Sequence, residues 1–168
     1  MNDVEAVFAE VKKLEGKTVT YLGKDPVGAV AIKKYAIAVD DRNPLYLDEG
    51  YASKSRYGGI VAPYTFIFEN NHDFYRPLEE DGIISGHVEQ LPPPFDLLIR
   101  GGNEYEFFQR IRPTDIIGFT RTVKSISKRK GKKSPLIVWV NEYVYRNQKG
   151  DILAVNRETF LYTSKASG

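Results

Sequence analysis

The chain has 168 residues, and its 24 Lys and Arg against 22 Asp and Glu leave a formal net charge of +2. Hydrophobic residues make up 42% of the sequence and charged residues 27%, which is typical of a globular domain and excludes a disordered chain. With no cysteine and only two histidines, a disulfide scaffold and thiolate metal sites are excluded and a histidine metal cluster is disfavoured. The near-neutral charge gives no general reason to expect nucleic acid.

Length and hydropathy predict a single cytoplasmic domain. Domains usually have roughly 100–200 residues, so we expect residues 1–168 to form one, with neither an internal repeat nor a linker. No run of about 18 apolar residues is present, and we expect no membrane span. The first residues are acidic rather than apolar, so a secretory signal is not expected either.

The first part of the chain alternates helical periodicity with turns. Residues 3–14 are predicted to form a helix, because four apolar residues recur there at helical spacing: Val4, Phe8, Val11 and Leu14. The β-branched and aromatic run 18–22 predicts a short strand, and residues 31–40 a second amphipathic helix. Asn43-Pro44 predicts a turn, since the residue before proline avoids the helical conformation. Asp48 is expected to cap a helix over 49–54.

An almost wholly apolar segment, 59–68, lies at the centre of the sequence. Proline is favoured in the first turn of a helix, so we predict a buried helix over 63–70. A helix that is apolar all round must lie in a core, here most simply against a sheet. Residues 73–102 read as irregular, with prolines and glycines throughout. Because so long a loop is usually functional, we expect the segment from Phe74 to Ile99 to cover an acyl group through its apolar residues, Leu91, Phe95, Leu97 and Leu98.

Beyond Gly102 the hydrophobic pattern changes to period two, which is typical of strands. Four strands are predicted, near 104–107, 116–127, 136–146 and 152–163. The connections have hairpin lengths and turn residues, so neighbouring strands are predicted to pair as an antiparallel meander. The fold class predicted is α+β, with a curved antiparallel sheet wrapped around a central apolar helix.

Two segments, 35–48 and 57–63, carry a resemblance to a known family. The first contains Asp41-Arg42-Asn43-Pro44-Leu45-Tyr46-Leu47-Asp48, and the second reads Tyr57-Gly58-Gly59-Ile60-Val61-Ala62-Pro63. They resemble the motifs of the MaoC-like (R)-specific enoyl-CoA hydratases and dehydratases, roughly Gly-Asp-x-Asn-Pro-x-His-x-Asp and then Ile-Ala-His-Gly. The resemblance implies a hotdog fold.

In catalytic members of that family the motif Asp and His activate water for addition to an enoyl thioester. Carried over by position, Asp41 matches the Asp and Asn43 the motif Asn, but Tyr46 stands where the His should be. A phenol, with an ordinary pKa of about 10, is a poor general base near neutral pH. Pro63 stands where the family has a glycine that gives its backbone N–H to the thioester oxygen, and proline has no N–H. The chain therefore resembles the N-terminal, degenerate half of a double hotdog.

The resemblance implies a subunit of an (R)-specific enoyl-thioester hydratase or (3R)-hydroxyacyl-thioester dehydratase. We expect its substrate to be carried as a coenzyme A or acyl-carrier-protein thioester, with no metal or other cofactor. A homodimer, or a heterodimer with a catalytic MaoC-type chain, is expected, and in the heterodimer the partner completes the active site. If the chain is active alone, Asp41 is the expected base, and Tyr46 and Asn43 position water. The expected substrate-binding residues are Gly59, Ile60, Pro63, Tyr64, Phe95 and Leu97.

Several alternatives stay open on the sequence alone. One alternative is that the chain is a non-catalytic scaffold that binds an acyl thioester. Another is that it is a hotdog thioesterase that uses Glu69 or Asp41. Asp41 alternatively caps its own turn, and Tyr46 packs in the core. His72 and His87 read as surface or loop residues, although His87 falls in the proposed flap. The basic hairpin 128–133 is either a solvated turn or a surface that attracts the phosphates of coenzyme A or an acidic carrier protein.

Overall fold

The computed structural model of the chain describes residues 4–70, 77, 80, 89–131 and 134–164. Four α-helices and a 3₁₀ helix, Tyr64–Asn70, accompany five strands in this part of the chain. The α-helices are α1 (Val4–Lys12), α2 (Ala29–Ala38), α3 (Pro44–Leu47) and α4 (Glu49–Ser53). The strands are β1 (Thr18–Tyr21), β2 (Leu97–Phe107), β3 (Gly118–Lys130), β4 (Pro135–Arg146) and β5 (Ile152–Thr163).

All five strands form one antiparallel sheet in the order β1-β3-β4-β5-β2. The predicted hairpins β3-β4 and β4-β5 are confirmed, but the prediction that β2 pairs with β3 is wrong, because β2 pairs with β5 at the far edge. The connection after β2 leaves the sheet edge. Its Ile111 carbonyl accepts from the Ala62 amide, and its Pro113 carbonyl accepts from the Gly28 amide. It therefore runs beneath the helical layer rather than forming a hairpin.

Strand β2 begins at Leu97, inside the segment predicted to be irregular. A register shift interrupts its pairing with β5 between Arg100 and Gly102, where an adjacent glycine pair lies in the strand. Such β-bulges commonly contain glycine and bend the strand. The glycines that suggested a loop are thus the bulge of a long edge strand, and the prediction of irregular structure over 97–102 is wrong.

Two apolar clusters occupy the buried side of the sheet. The first packs α2, α3 and residues 60–67 against the ends of β4 and β5, with Tyr143, Tyr145 and Ala154 at its floor. The second packs α1 and Phe95 against the other end of β3, β4 and β5, around Trp139. Between them lie three buried polar residues of β4 and β5: Asn141 is opposite Glu158 in the register, and Asn156 lies two residues before Glu158. A polar band therefore separates the two apolar clusters.

The central apolar segment is less buried than its composition predicts. It forms a 3₁₀ helix from Tyr64, in which Phe66 and Ile67 are buried while Tyr64 and Phe68 are exposed. The predicted helix start at Pro63 is therefore confirmed to within one residue, but the prediction that it is buried on all sides is wrong for these residues. In a 3₁₀ helix, side chains three residues apart lie on the same face of the helix. Tyr64 and Ile67 are separated by three residues, yet Tyr64 is exposed and Ile67 is buried. Packing against the sheet, rather than hydropathy alone, decides which of them is covered.

Candidate functional site

The segment that links α2 to α3 holds the two polar residues of the motif in turn geometry. The Asp41 amide donates to the Ala36 carbonyl at 2.8 Å, which closes the end of α2. The Asp41 carboxylate then accepts from the Asn43 amide at 3.3 Å, and the Asn43 side chain accepts from the Leu45 amide at 3.0 Å. Asn43 thus caps α3, with Pro44 in its first turn. The alternative interpretation of Asp41 as a turn-capping residue is confirmed, and its catalytic role stays a prediction.

Tyr46, at the position of the family's histidine, is enclosed in the first apolar cluster and only 5% exposed. Its phenol oxygen accepts a hydrogen bond from Nη1 of Arg110 at 3.4 Å. The packing interpretation of Tyr46 is therefore confirmed. A buried phenol whose oxygen faces a guanidinium is poorly placed to take a proton from water.

Arg110 is the central residue of this region, and sequence reasoning missed it. Its guanidinium carbon lies 3.5 Å from the centroid of the Tyr64 ring, and Nη1 donates to the Ala62 carbonyl at 3.3 Å as well as to Tyr46. A cation over an aromatic face is favourable, and more so when partly desolvated. Arg110 stands just after the alternating pattern of β2, in a Gln-Arg-Ile-Arg run without a recognisable motif. No signal in the sequence links it to Tyr46.

Two further arginines meet the same group of tyrosines through Tyr57. Nη2 of Arg56 donates to the Tyr57 hydroxyl at 2.7 Å, and Nη1 of Arg112 donates to the Tyr57 carbonyl at 2.8 Å. Hydrogen bonds from Arg56 and then Arg110 lower the pKa of Tyr57 below its usual value. Burial acts to lower the pKa of Arg110, but bonding to Tyr57 and attraction to Tyr46 together raise it above its usual value. Arg110 therefore keeps its positive charge in this half-buried position.

The expected substrate-binding residues fall into two groups. Ile60 and Pro63 are buried beside Tyr46, with half-buried Gly59 before them, and exposed Tyr64 is joined to this group through Arg110. Phe95 is buried in the second apolar cluster, and half-buried Leu97 begins β2. The structure thus brings together Gly59, Ile60, Pro63 and Tyr64 near the motif, and places Phe95 beyond the polar band.

A cleft of about 680 Å³ opens between β1 and α2. Its walls include Tyr35, Phe66 and Ile117, and Glu69, the residue of the thioesterase alternative, lies exposed on its lining. Asp41 does not line this cleft. His72, His87 and half of the expected flap 74–99 lie outside the described residues, namely 74–76, 78–79 and 81–88 of the flap. No group of three or more histidine or acidic side chains is placed to hold a metal ion in the described part of the chain.

The basic hairpin is partly neutralised by α1. Lys128 forms an ion pair with Glu5, and its ammonium nitrogen lies 5.7 Å from the centroid of the Phe8 ring. Arg129 and Lys130 are exposed, and residues 132–133 lie outside the described residues. One of the cations expected to attract a ligand is therefore engaged within the chain.

Glu158 is a buried carboxyl in the polar band, with a side-chain exposure of 1%. Nη1 of Arg100 lies 3.2 Å from its Oε1, but neither carboxyl oxygen accepts a well-directed hydrogen bond within the described residues. Burial raises the pKa of Glu158 above its usual value, against the opposing attraction of Arg100. Burial likewise raises the pKa of Tyr143 to about 12. The band is therefore poorly suited to holding a negative charge.

None of the helices within the described residues is long and apolar enough to cross a membrane.

Comparison with known proteins agrees with this architecture. A "probable enoyl-CoA hydratase alpha subunit" of Thermomonospora curvata is 30% identical over 150 residues, which are 83% of this chain and 46% of that relative. The chain thus spans about half the length of this curated relative. A chain of the crystal structure of the ChsH1-ChsH2 complex from Mycobacterium tuberculosis superposes with a TM-score of 0.78 at 18% identity, covering 99% of this chain and 94% of that one.

A second structural match comes from the C-terminally truncated HadBC (3R-hydroxyacyl-ACP dehydratase) complex of Mycobacterium tuberculosis. It has a TM-score of 0.61 at 21% identity and covers 88% of this chain and 96% of that one. The two likenesses in structure confirm the predicted α+β hotdog fold class. The family model described as "FAS1-like, dehydratase domain region" matches residues 16–155, most of the chain. The chain therefore belongs to this dehydratase-region family of MaoC-like hotdog proteins.

Proposed function

We propose that the chain is the accessory subunit of an (R)-specific enoyl-thioester hydratase or (3R)-hydroxyacyl-thioester dehydratase. In the hydration direction, water adds across the C2–C3 double bond, with its hydroxyl on C3 and a proton on C2. This is acid–base chemistry, and the reaction needs a positioned base and acid rather than a redox cofactor. In the proposed assembly a MaoC-type partner supplies these groups, and this chain supplies acyl-binding surface.

The observation that carries the proposal is the environment of Tyr46. A general base must reach the water from which it takes a proton. Tyr46 is 5% exposed and its phenol oxygen accepts from Arg110, so water has little access to it. Oδ1 of Asp41 accepts from the Asn43 amide within its own turn. Pro63 has no N–H to offer a thioester oxygen, and loss of one such donor typically costs about 10²–10³-fold in rate.

Strand β2 offers the surface on which a partner would pair. It is an 11-residue edge strand in the described sheet, whereas β1 at the opposite edge has four residues. Ile99, Phe107 and Phe108 are exposed along and just beyond β2, at 46%, 37% and 56%. A long edge strand with unpaired backbone groups and exposed apolar side chains invites association unless it is covered. Pairing with a second hotdog along β2 satisfies these groups.

The relatives support the same assembly. The Thermomonospora protein is named as an alpha subunit, and both structural matches come from complexes with a second named component. This chain spans 46% of the Thermomonospora relative, and we propose that it contributes to the same class of activity. The proposed thiol carrier is coenzyme A or an acyl carrier protein.

The test is a hydration assay on crotonyl-CoA and a longer enoyl-CoA, following loss of the conjugated thioester absorbance. We expect no turnover with the purified chain alone and turnover after a histidine-containing MaoC-type chain is added, beyond that of the added chain by itself. Turnover by the chain alone would contradict the proposal. Continued absence of turnover would favour a binding scaffold, and release of free thiol, detected with a thiol reagent in the same cuvette, would favour a thioesterase.

A further inference from the structure

Three arginines converge on one tyrosine without a carboxylate partner. Arg56 donates to the Tyr57 hydroxyl, Arg112 donates to the Tyr57 carbonyl, and the Arg110 guanidinium carbon lies 5.9 Å from the centroid of the Tyr57 ring. Within the described residues, none of the three forms an ion pair. Arg56 and Arg112 are exposed. Tyr57 therefore marks a concentrated positive charge open to solvent.

Three arginines of the sheet are arranged differently. Arg100, Arg121 and Arg157 each lie within 4 Å of a glutamate, at 3.2, 3.2 and 2.7 Å. The arginines around Tyr57 instead bind neutral oxygens and aromatic rings, and no carboxylate of the described residues compensates their charge.

Each guanidinium also keeps donors to spare. A guanidinium has five N–H donors, and the bonds to Tyr57 engage only Nη2 of Arg56 and Nη1 of Arg112. Nε of Arg110 is buried and has no hydrogen-bond partner in the described part of the chain. Planar guanidinium groups with free donors match the geometry of phosphate oxygens.

We propose that Arg56, Arg110 and Arg112 bind a phosphate group of the thiol carrier that delivers the acyl substrate. The identity of the ligand as a thiol carrier rests on the proposed function, whereas the anion site rests on the unpaired arginines. The 3′-phospho-ADP part of coenzyme A and the phosphodiester of a carrier-protein phosphopantetheine share this chemistry. On this account the arginines around Tyr57 hold the carrier, and the Tyr46 position does not activate water.

The competing surface is the basic hairpin. Its Lys128 is already paired with Glu5, which lowers the charge that it can offer. Arg129 remains exposed there, so it provides the variant that discriminates between the two surfaces. Arg146 provides a matched control, because it is exposed and donates to the Gly150 carbonyl of its own hairpin.

The experiment is isothermal titration calorimetry of the full chain with coenzyme A, dephospho-coenzyme A, 4′-phosphopantetheine and pantetheine. We expect coenzyme A to bind and pantetheine, which lacks phosphate, to bind at least tenfold more weakly. Arg56→Gln and Arg112→Gln are each expected to weaken coenzyme A binding roughly tenfold, as loss of a charge-assisted hydrogen bond does. Arg129→Gln and Arg146→Gln are expected to leave the affinity within twofold.

The phosphate analogues distinguish the two sources. Binding that falls with dephospho-coenzyme A assigns the 3′-phosphate, whereas equal binding of 4′-phosphopantetheine and coenzyme A assigns the phosphate that a carrier protein also has. Any of four results would overturn the inference. They are equal binding of pantetheine and coenzyme A, unchanged affinity in Arg56→Gln and Arg112→Gln, weakening confined to Arg129→Gln, and no coenzyme A binding. Partner-dependent hydratase activity would then still stand, so the failure of this site and the failure of the proposed function are separable.

Discussion

Glu158 allows the energetics of the polar band to be tested directly. Its carboxyl is 1% exposed, and neither of its oxygens accepts a well-directed hydrogen bond within the described residues. A buried polar group without partners costs about 1–3 kcal/mol, and more when charged. Two arginines attract Glu158: Arg100 is 43% exposed, and Arg121, 14% exposed, keeps its ion pair with Glu89, so removing the negative charge leaves no buried cation without a partner. We therefore expect Glu158→Gln to raise the free energy of unfolding by about 1–2 kcal/mol at pH 8.

The pH dependence follows from the direction of the pKa shift. The pKa of Glu158 is raised in the folded protein above its ordinary value of 4.5. Protonation of Glu158 therefore stabilises the fold fully at pH below 4.5, and this stabilisation is lost as pH rises through the pKa of the folded protein. The gain from Glu158→Gln should accordingly grow between acidic and alkaline pH. The assay is urea unfolding followed by the fluorescence of Trp139, the single tryptophan, which is 1% exposed in the folded chain.

Glu142 provides the matched control on the same strand pair. Hydrogen bonds from Lys124, at 3.0 Å, and from Arg157, at 3.1 Å, lower its pKa below the usual value. The ionised Glu142 stabilises the fold above its ordinary pKa of 4.5, and this contribution is lost as pH falls through the lowered pKa of the folded protein. Glu142→Gln should therefore lower the free energy of unfolding by about 1 kcal/mol or less at pH 8 and leave it unchanged in acid. If Glu158→Gln also destabilised at pH 8, ionised Glu158 would be well compensated by its arginines, and the reasoning about the polar band would be refuted.

Three further variants test other parts of the account. Asp48→Ala should lower the free energy of unfolding by about 0.5–2 kcal/mol in urea titrations, because it removes the 2.9 Å bond to the Tyr51 amide, whereas Asp48→Asn should cost less. Gly118→Ala would place a Cβ 2.6 Å from the Tyr21 carbonyl oxygen and should destabilise by about 1–3 kcal/mol, with faster amide exchange in β1; unchanged exchange would argue against this contact. Ile99→Lys should abolish association with a MaoC-type partner in size-exclusion chromatography, and Val19→Lys, on the opposite edge strand, should not; equal behaviour of both variants would rule out pairing along β2.

Periodicity predicted most of the fold because most elements bury one face. The alternating patterns of β4 and β5 end within about one residue of the observed bounds, and α1 and α2 lie where apolar spacing placed them. The sequence predicts strand β2 only over 104–107, whereas β2 begins at Leu97. The difference arises because the bulge contains two glycines, which are also turn signals. The pairing of β2 with β5 could not be predicted, since the connection after β2 returns through hydrogen bonds to distant residues such as Ala62.

The candidate site was predictable only where it is local in sequence. The Asp48 cap and the Asn43-Pro44 start of α3 are contained within a few residues, and both are identifiable from turn and cap chemistry, although the sequence predicts no helix after that turn. Tyr46 and Arg110 are 64 residues apart, so their contact depends on tertiary packing that no local pattern records. The convergence of Arg56 and Arg112 on Tyr57 is hidden for the same reason.

The most direct test of the central claim uses the assembled pair with reciprocal substitutions. Asp41→Asn in this chain is compared with replacement of the motif histidine by glutamine in the MaoC-type partner, under the enoyl-CoA hydration assay. The account predicts that Asp41→Asn retains turnover within about threefold, because the Asp41 side chain accepts a hydrogen bond within its own turn. The partner's substitution is predicted to lower turnover by about 10²-fold or more, which is the usual effect of losing a general base. Loss of turnover in Asp41→Asn complexes that assemble normally, with turnover retained in the partner's variant, would contradict the account.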